Sequence, residues 1–121
     1  MNKPIDGDRS SNKEASGNKG ADPKKGSAES LQFHYRIYGR VQGVGFRNWL
    51  TDLAHALGLK GFCRNRSDGT VELLAKAPSE GMLRALEKEL HKGPPAARVD
   101  RVEKDFYTGD VPEDFQVLAT K

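Results

Sequence analysis

The sequence predicts an α+β domain in which two helices lie on one face of an antiparallel sheet. The hydrophobic period changes twice along the chain, from every second residue to every third or fourth. A Ser-Asp-Gly turn separates two adjacent strand-like runs. Glycine closes each helix-like run.

Leu31, Phe33, Tyr35 and Ile37 alternate with Gln32, His34, Arg36 and Tyr38, which predicts a first strand with one apolar face. Phe46, Trp49, Leu50, Leu53, Ala54 and Leu57 then fall on one stripe of a helix, and Gly58 ends it. Lys60 to Arg66 reads as a second strand. Ser67-Asp68-Gly69 makes a hairpin turn into a third, Thr70 to Ala77, apolar enough to be central. Pro78-Ser79 opens a second helix with a stripe of Met82, Leu83, Leu86 and Leu90, and Gly93-Pro94-Pro95 stops it. Ala97 to Phe106 is a fourth strand. Its Val99 and Val102 differ in parity, so a bulge is expected. After a loop, Phe115, Val117 and Ala119 suggest a last short strand.

The order β-α-β-β-α-β is the ferredoxin-like split βαβ pattern. In it the first and second strands run parallel, with the third inserted between them. Their ends therefore meet at one edge of the sheet, about 9–10 Å apart.

Residues 1–30 lie outside this pattern. They carry six basic and five acidic residues, many Ser, Gly and Asn, and Ile5 as the only large aliphatic beyond Met1. Such a segment cannot offset its own ordering entropy, so a disordered tail is expected, with the domain spanning residues 31–121. The net charge of +3 over 121 residues gives no strong pointer to nucleic acid or membranes. No apolar run approaches the roughly eighteen residues of a membrane span, and the first residues lack an apolar signal core. The single cysteine, Cys63, cannot form an internal disulfide and fits a reducing cytoplasm.

Between the first strand and first helix lies Gly39-Arg40-Val41-Gln42-Gly43-Val44-Gly45-Phe46-Arg47. Gly43 and Gly45 allow positive φ and leave amides uncovered. The helix that follows offers unsatisfied N–H groups and the positive end of its dipole. Such a turn suits an anion, phosphate above all. Arg47 opposes the helix dipole by about 0.3–1 kcal/mol unless an anion sits beside it. Its guanidinium can hold two phosphate oxygens at once. From spacing alone, the same segment reads equally as a corner with a solvated arginine. Asn65, at the end of the second strand, likewise has two readings. It can tie down the hairpin, or its amide can aim a water without taking its proton.

Both stretches resemble the acylphosphatase family. Gly39 to Arg47 is similar to its first signature, and Gly61-Phe62-Cys63-Arg64-Asn65-Arg66-Ser67-Asp68-Gly69-Thr70-Val71-Glu72 to its second. Gly93-Pro94-Pro95 and Ala97-Arg98-Val99 also match, and the resemblance runs from Phe33 to about Val117. It implies a ferredoxin-like, metal-independent hydrolase that splits the carboxyl-phosphate bond of acyl phosphates. It implies that Arg47 and the phosphate-binding loop, Gln42, Gly43, Val44, Gly45 and Phe46, hold the phosphoryl group. It implies that Asn65 orients the water. Cofactors and metals are expected to be absent, inorganic phosphate to be product and inhibitor, and the chain to act as a cytoplasmic monomer without nucleic-acid or membrane partners. The departures are small: Cys63 stands where valine is common, Gly45 where some members carry cysteine, and Arg66 where some carry a hydroxyl.

Two other functional classes fit the sequence less well. A phosphate or RNA binder on this fold would need aromatics on the central strands, and Thr70 to Ala77 has none. A detached domain of a larger carbamoyl-transferring protein is disfavoured because the cysteine pairs of such a protein are missing. His34 and His55 fall off the apolar faces of their elements, and His91 stands near a helix C-terminus, where an imidazole is simply favourable, so none is expected to be a catalytic base. The tail should be dispensable. A chain beginning at Leu31 is expected to match the full chain in thermal midpoint and kcat/KM, and a tenfold loss of kcat/KM would give the tail a role.

Overall fold

In the first strand, β1 (Gln32–Arg40), the alternation sends Phe33, Tyr35 and Ile37 into the core and leaves His34, Arg36 and Tyr38 half-buried on the other face. The structure, a computed structural model, describes residues 31–121; the disordered-tail expectation for residues 1–30 lies outside the described residues.

Helix α1 (Phe46–Leu57) starts where the period changes and buries Phe46, Leu50 and Ala54. Gly58 ends it with φ 68°, its N–H reaching the Ala54 and His55 carbonyls. β2 (Lys60–Asn65) and β3 (Val71–Lys76) flank the expected hairpin. Helix α2 (Glu80–Lys92) is capped by Ser79, whose hydroxyl accepts from the Met82 N–H at 3.2 Å. β4 (Arg98–Phe106) and the short β5 (Gln116–Val117) complete the chain. The α2 stripe is narrower than the sequence suggests. Leu83, Leu86 and Leu90 are buried, but Met82 is 40 % exposed, since it lies about 100° round the helix from Leu83.

The sheet order is β4-β1-β3-β2-β5. β3 is antiparallel to both β1 and β2, so those two run parallel and end at the same edge. From Val71 to Ala75 every β3 residue is buried, which fits its central place. Both helices pack on the face that carries Phe33, Tyr35, Ile37, Cys63 and Leu73. Tyr35 donates to Glu87 of α2 at 2.7 Å, and Lys104 of β4 pairs with the same carboxylate at 2.6 Å.

The sheet is not wholly antiparallel. β5 runs parallel to β2, with Phe62 opposite Gln116 and Cys63 opposite Val117. Buried Phe115 fixes the start of this segment, and the chain then follows β2 in the same direction. Leu118 N–H donates to Cys63 O at 2.9 Å and Lys121 N–H to Asn65 O at 3.1 Å. A two-residue strand carries too little pattern to reveal its direction in advance.

The bulge in β4 is where the valines place it. Tyr38 faces Arg101 and Gly39 faces Val99, so Asp100 is the extra residue. Gly39 adopts φ 130°, and a Cβ there would collide with the Arg98 carbonyl oxygen. Only glycine lets the bulged strand come this close.

The face away from the helices is held by one carboxylate. Glu72 accepts from Arg64 Nε at 2.7 Å, from His34 Nε2 at 2.6 Å and from Arg66 Nη1 at 3.2 Å. Burial by itself raises its pKa, but the hydrogen bonds and charges of Arg64 and His34 outweigh burial and hold it at about 2, against an ordinary 4.5. A carboxyl whose pKa is lowered on folding stabilises the fold above its unfolded pKa, and that stability is lost as pH falls toward the folded value. Glu72→Gln is expected to be less stable than the parent at pH 7, and the difference should shrink between about pH 4.5 and about pH 2. Urea midpoints across that window check this; a constant difference would detach Glu72 from the acid sensitivity.

Candidate active site

β1 ends at Arg40 on the edge where β2 ends at Asn65. The loop between β1 and α1 begins with Val41, which is fully buried and anchors it in the core. Gly43 and Gly45 take φ 72° and 76°, the left-handed region that side chains resist. Among the described residues no atom lies within 4 Å of where a Cβ would stand at either glycine, so the turn needs them for conformation and leaves open space beside the backbone.

Gly45 is also the N-cap of α1, and it has no side chain to cap with. Trp49 N–H bonds back to the Gly45 carbonyl at 3.0 Å, and among the described residues no side chain accepts from the amides of the first turn. The first turn carries no acidic residue to balance the dipole; it carries Arg47. Among the described residues Arg47 has no ion-pair partner, and its own carbonyl is held by Thr51 Oγ1 at 2.8 Å. Phe46, buried and edge-to-face with Trp49 at 5.2 Å, pins the helix start to the core.

The loop is fastened to the β2–β3 hairpin by Gln42. Its Nε2 donates to Arg66 O at 2.8 Å and to Thr70 O at 2.9 Å. The hairpin is closed by Asp68, whose Oδ1 accepts from the Thr70 amide at 3.0 Å and the Thr70 hydroxyl at 2.6 Å. Asp68 therefore performs the turn-tying role that the sequence also allowed for Asn65. The Asn65 side chain makes no hydrogen bond among the described residues and lines a cleft instead.

That cleft is about 100 Å³, near the volume share of three waters. Gly43, Gly45, Arg47 and Asn65 line it, with Val41, Phe46 and Asn48. Arg47 and Asn65 thus meet, although eighteen positions separate them in the chain. Two of the expected substrate-binding residues keep their side chains out of the cleft: the Gln42 side chain turns to the hairpin and the Val44 side chain packs against the core, which leaves their part in the loop to the backbone. Asn48 was missed, because nothing in a sequence marks which polar residue of a first turn faces a neighbouring strand end.

Among the described residues, none that lines the cleft carries a carboxylate, imidazole or thiol. His34 is engaged with Glu72 on the opposite face of the sheet, and His55 and His91 are exposed in the last helical turns. Cys63 lies behind the site, fully buried. Burial pushes its thiol up to about 11 against a weaker downward pull from Arg47, so it stays protonated and inert. Among the described residues no group of three His, Cys, Asp or Glu could hold a metal ion, and no helix is long and apolar enough to cross a membrane. Amide dipoles and one guanidinium face this cleft with an amide side chain beside them, an arrangement chemically suited to an anion.

A family model described as Acylphosphatase matches residues 33–117. A protein of Acidovorax sp. named Acylphosphatase is 52 % identical over 77 residues, covering 64 % of this chain and 78 % of that protein. Another of that name from Thermococcus kodakarensis is 47 % identical over 88 residues, covering 73 % and 96 %. The solved structure of an acylphosphatase from Coxiella burnetii superposes with TM-score 0.68 at 34 % identity, covering 73 % of this chain and 92 % of that one.

Removing the Gln42 clamp should loosen the loop from the hairpin. Gln42→Ala strands two carbonyl oxygens and is expected to lower stability by about 1–3 kcal/mol in urea denaturation. Gln42→Glu has no donor to offer them at neutral pH and should be at least as unstable. Unchanged urea midpoints in both variants would show that the clamp is idle.

Proposed function

The chain belongs to the acylphosphatase family and hydrolyses the carboxyl-phosphate bond of acyl phosphates, and we propose that Arg47, the amides of the Gly43–Phe46 turn and Asn65 carry out that reaction. One observation supports this assignment most directly: Arg47 and Asn65 line one cleft with the uncapped start of α1.

The phosphoryl group sits against the loop amides, with Arg47 holding two of its oxygens. Asn65 accepts from a water and holds it in line with the bond to be broken. As the water oxygen bonds to phosphorus, the phosphorus–oxygen bond to the acyl group breaks, and its electron pair leaves with a carboxylate. One water proton passes to a phosphoryl oxygen. A carboxylate needs no protonation to depart at neutral pH, so no general acid is required. The loose transition state spreads charge over three equatorial oxygens, which fixed dipoles and a guanidinium stabilise without reorganising. Inorganic phosphate, the product, occupies the same amides and competes with substrate.

The chain works as a monomer in the cytoplasm on this reading. Support comes from the few large apolar residues exposed in the domain, Met82, Phe106 and Val117, and from its single reduced cysteine.

Arg47 and Asn65 should fail differently. Arg47→Ala is expected to lose phosphate binding and nearly all turnover, and Arg47→Lys to restore little, because the fork geometry is gone. Asn65→Ala should lower kcat by on the order of a hundredfold, the size that misplacement can cause, while its inhibition constant for inorganic phosphate changes little. Matched kcat and phosphate inhibition constants, with circular dichroism on each variant, test this. A folded Asn65→Ala with near-normal kcat would end the water-positioning role.

A further inference from the structure

Three polar side chains line the cleft: Arg47, Asn65 and Asn48. Only Asn48 has no role in the reaction as derived so far. It occupies the third position of α1 and is exposed. Its side chain makes no hydrogen bond among the described residues and caps nothing. Asparagine is a weaker helix former than alanine, so the residue does not serve the helix either.

We propose that Asn48 is a third substrate-contacting residue, whose Nδ2 donates a hydrogen bond to the carboxyl group of the acyl phosphate as that group leaves. The inference rests on the roles given to Arg47 and Asn65. With the phosphoryl oxygens held by amides and Arg47, and the water held by Asn65, the two carboxyl oxygens are the reacting atoms left without a partner. An in-line displacement puts the leaving group on the side of phosphorus opposite the water. Asn65 comes from the end of β2 and Asn48 from the first turn of α1, so the two amides belong to different elements bordering one small space.

The chemistry suits an amide donor. In the bound substrate the carbonyl oxygen is neutral. As the phosphorus–oxygen bond breaks, negative charge spreads over both carboxyl oxygens. A hydrogen bond to that charge is stronger in the transition state than in the ground state, so it accelerates the step. Asn48 needs no proton transfer to do this; the electron pair of the broken bond stays on the carboxylate.

The test uses the full chain and a series of ring-substituted benzoyl phosphates whose leaving groups differ in acidity. Asn48→Ala is expected to lose about tenfold in kcat/KM, typical of one hydrogen bond to a charged group. Its rate should depend more steeply on leaving-group acidity than the parent's, because the variant no longer shares the departing charge. Its inhibition constant for inorganic phosphate should stay within about twofold of the parent, since phosphate has no acyl group to contact. Asn48→Asp should be slower than Asn48→Ala, as a carboxylate would face a departing carboxylate, and yet thermally more stable, as an acid in the first turn favours the helix dipole. An unchanged leaving-group slope in Asn48→Ala overturns the proposal. So does a phosphate inhibition constant that rises in step with the loss of kcat/KM, which would put Asn48 on the phosphoryl group. Failure of the Arg47 and Asn65 roles appears separately, as near-normal kcat and phosphate binding in variants at those two positions.

Discussion

Everything at this site depends on a helix that begins without a cap. Gly45 stands where Ser, Thr, Asp or Asn usually satisfies the first amides, and it turns the chain with φ 76°. The amides of the first turn are therefore left to whatever anion enters, and Arg47 adds a full positive charge where the dipole would prefer a negative one. Locally this is a poor way to start a helix. Buried Phe46 and Leu50 hold the helix against the core and make that start tolerable.

The second requirement is that the strand ends stay aligned. β3, inserted between β1 and β2 and buried along its length, sets the separation of the cradle from Asn65. Gln42 then ties the loop to two carbonyls of the hairpin, and the segment after β5 bonds to the Asn65 carbonyl from the other side. Asn65 is held by its backbone, so its side chain is free for other work. On the far face, Glu72 gathers Arg64, Arg66 and His34 and so immobilises the residues either side of Asn65.

The lack of titrating groups in the cleft matches the reaction. An acyl phosphate departs as a carboxylate, and its phosphoryl group develops charge that static dipoles can meet. A buried acid or base would need its pKa shifted by desolvation to act near neutrality. Here the strongly shifted groups, Tyr35, Glu72 and Cys63, lie outside the cleft lining and serve packing, hydrogen bonding and ion pairing. Perturbed titration therefore does not point to this cleft.

The element order is legible in the residues alone, because burial on one face leaves a readable period: Phe33, Tyr35 and Ile37 for a strand, Phe46, Leu50 and Ala54 for a helix. So are the turn conformations, since Gly43, Gly45 and Gly69 adopt a φ that other residues resist. The mismatch of Val99 and Val102 disclosed the bulge. Tertiary structure decided what depends on partners distant in the chain. Whether the Asn65 side chain tied the hairpin or lined the cleft turned on Asp68 taking the Thr70 bonds. Where the Gln42 side chain points was set by two carbonyls more than twenty residues away. The direction of β5, the exposure of Met82 and the place of Asn48 in the cleft were decided in the same way. Periodicity reports which face of an element is buried. It carries no record of what an individual polar side chain meets across the fold, because that contact is made only after the strands are in register.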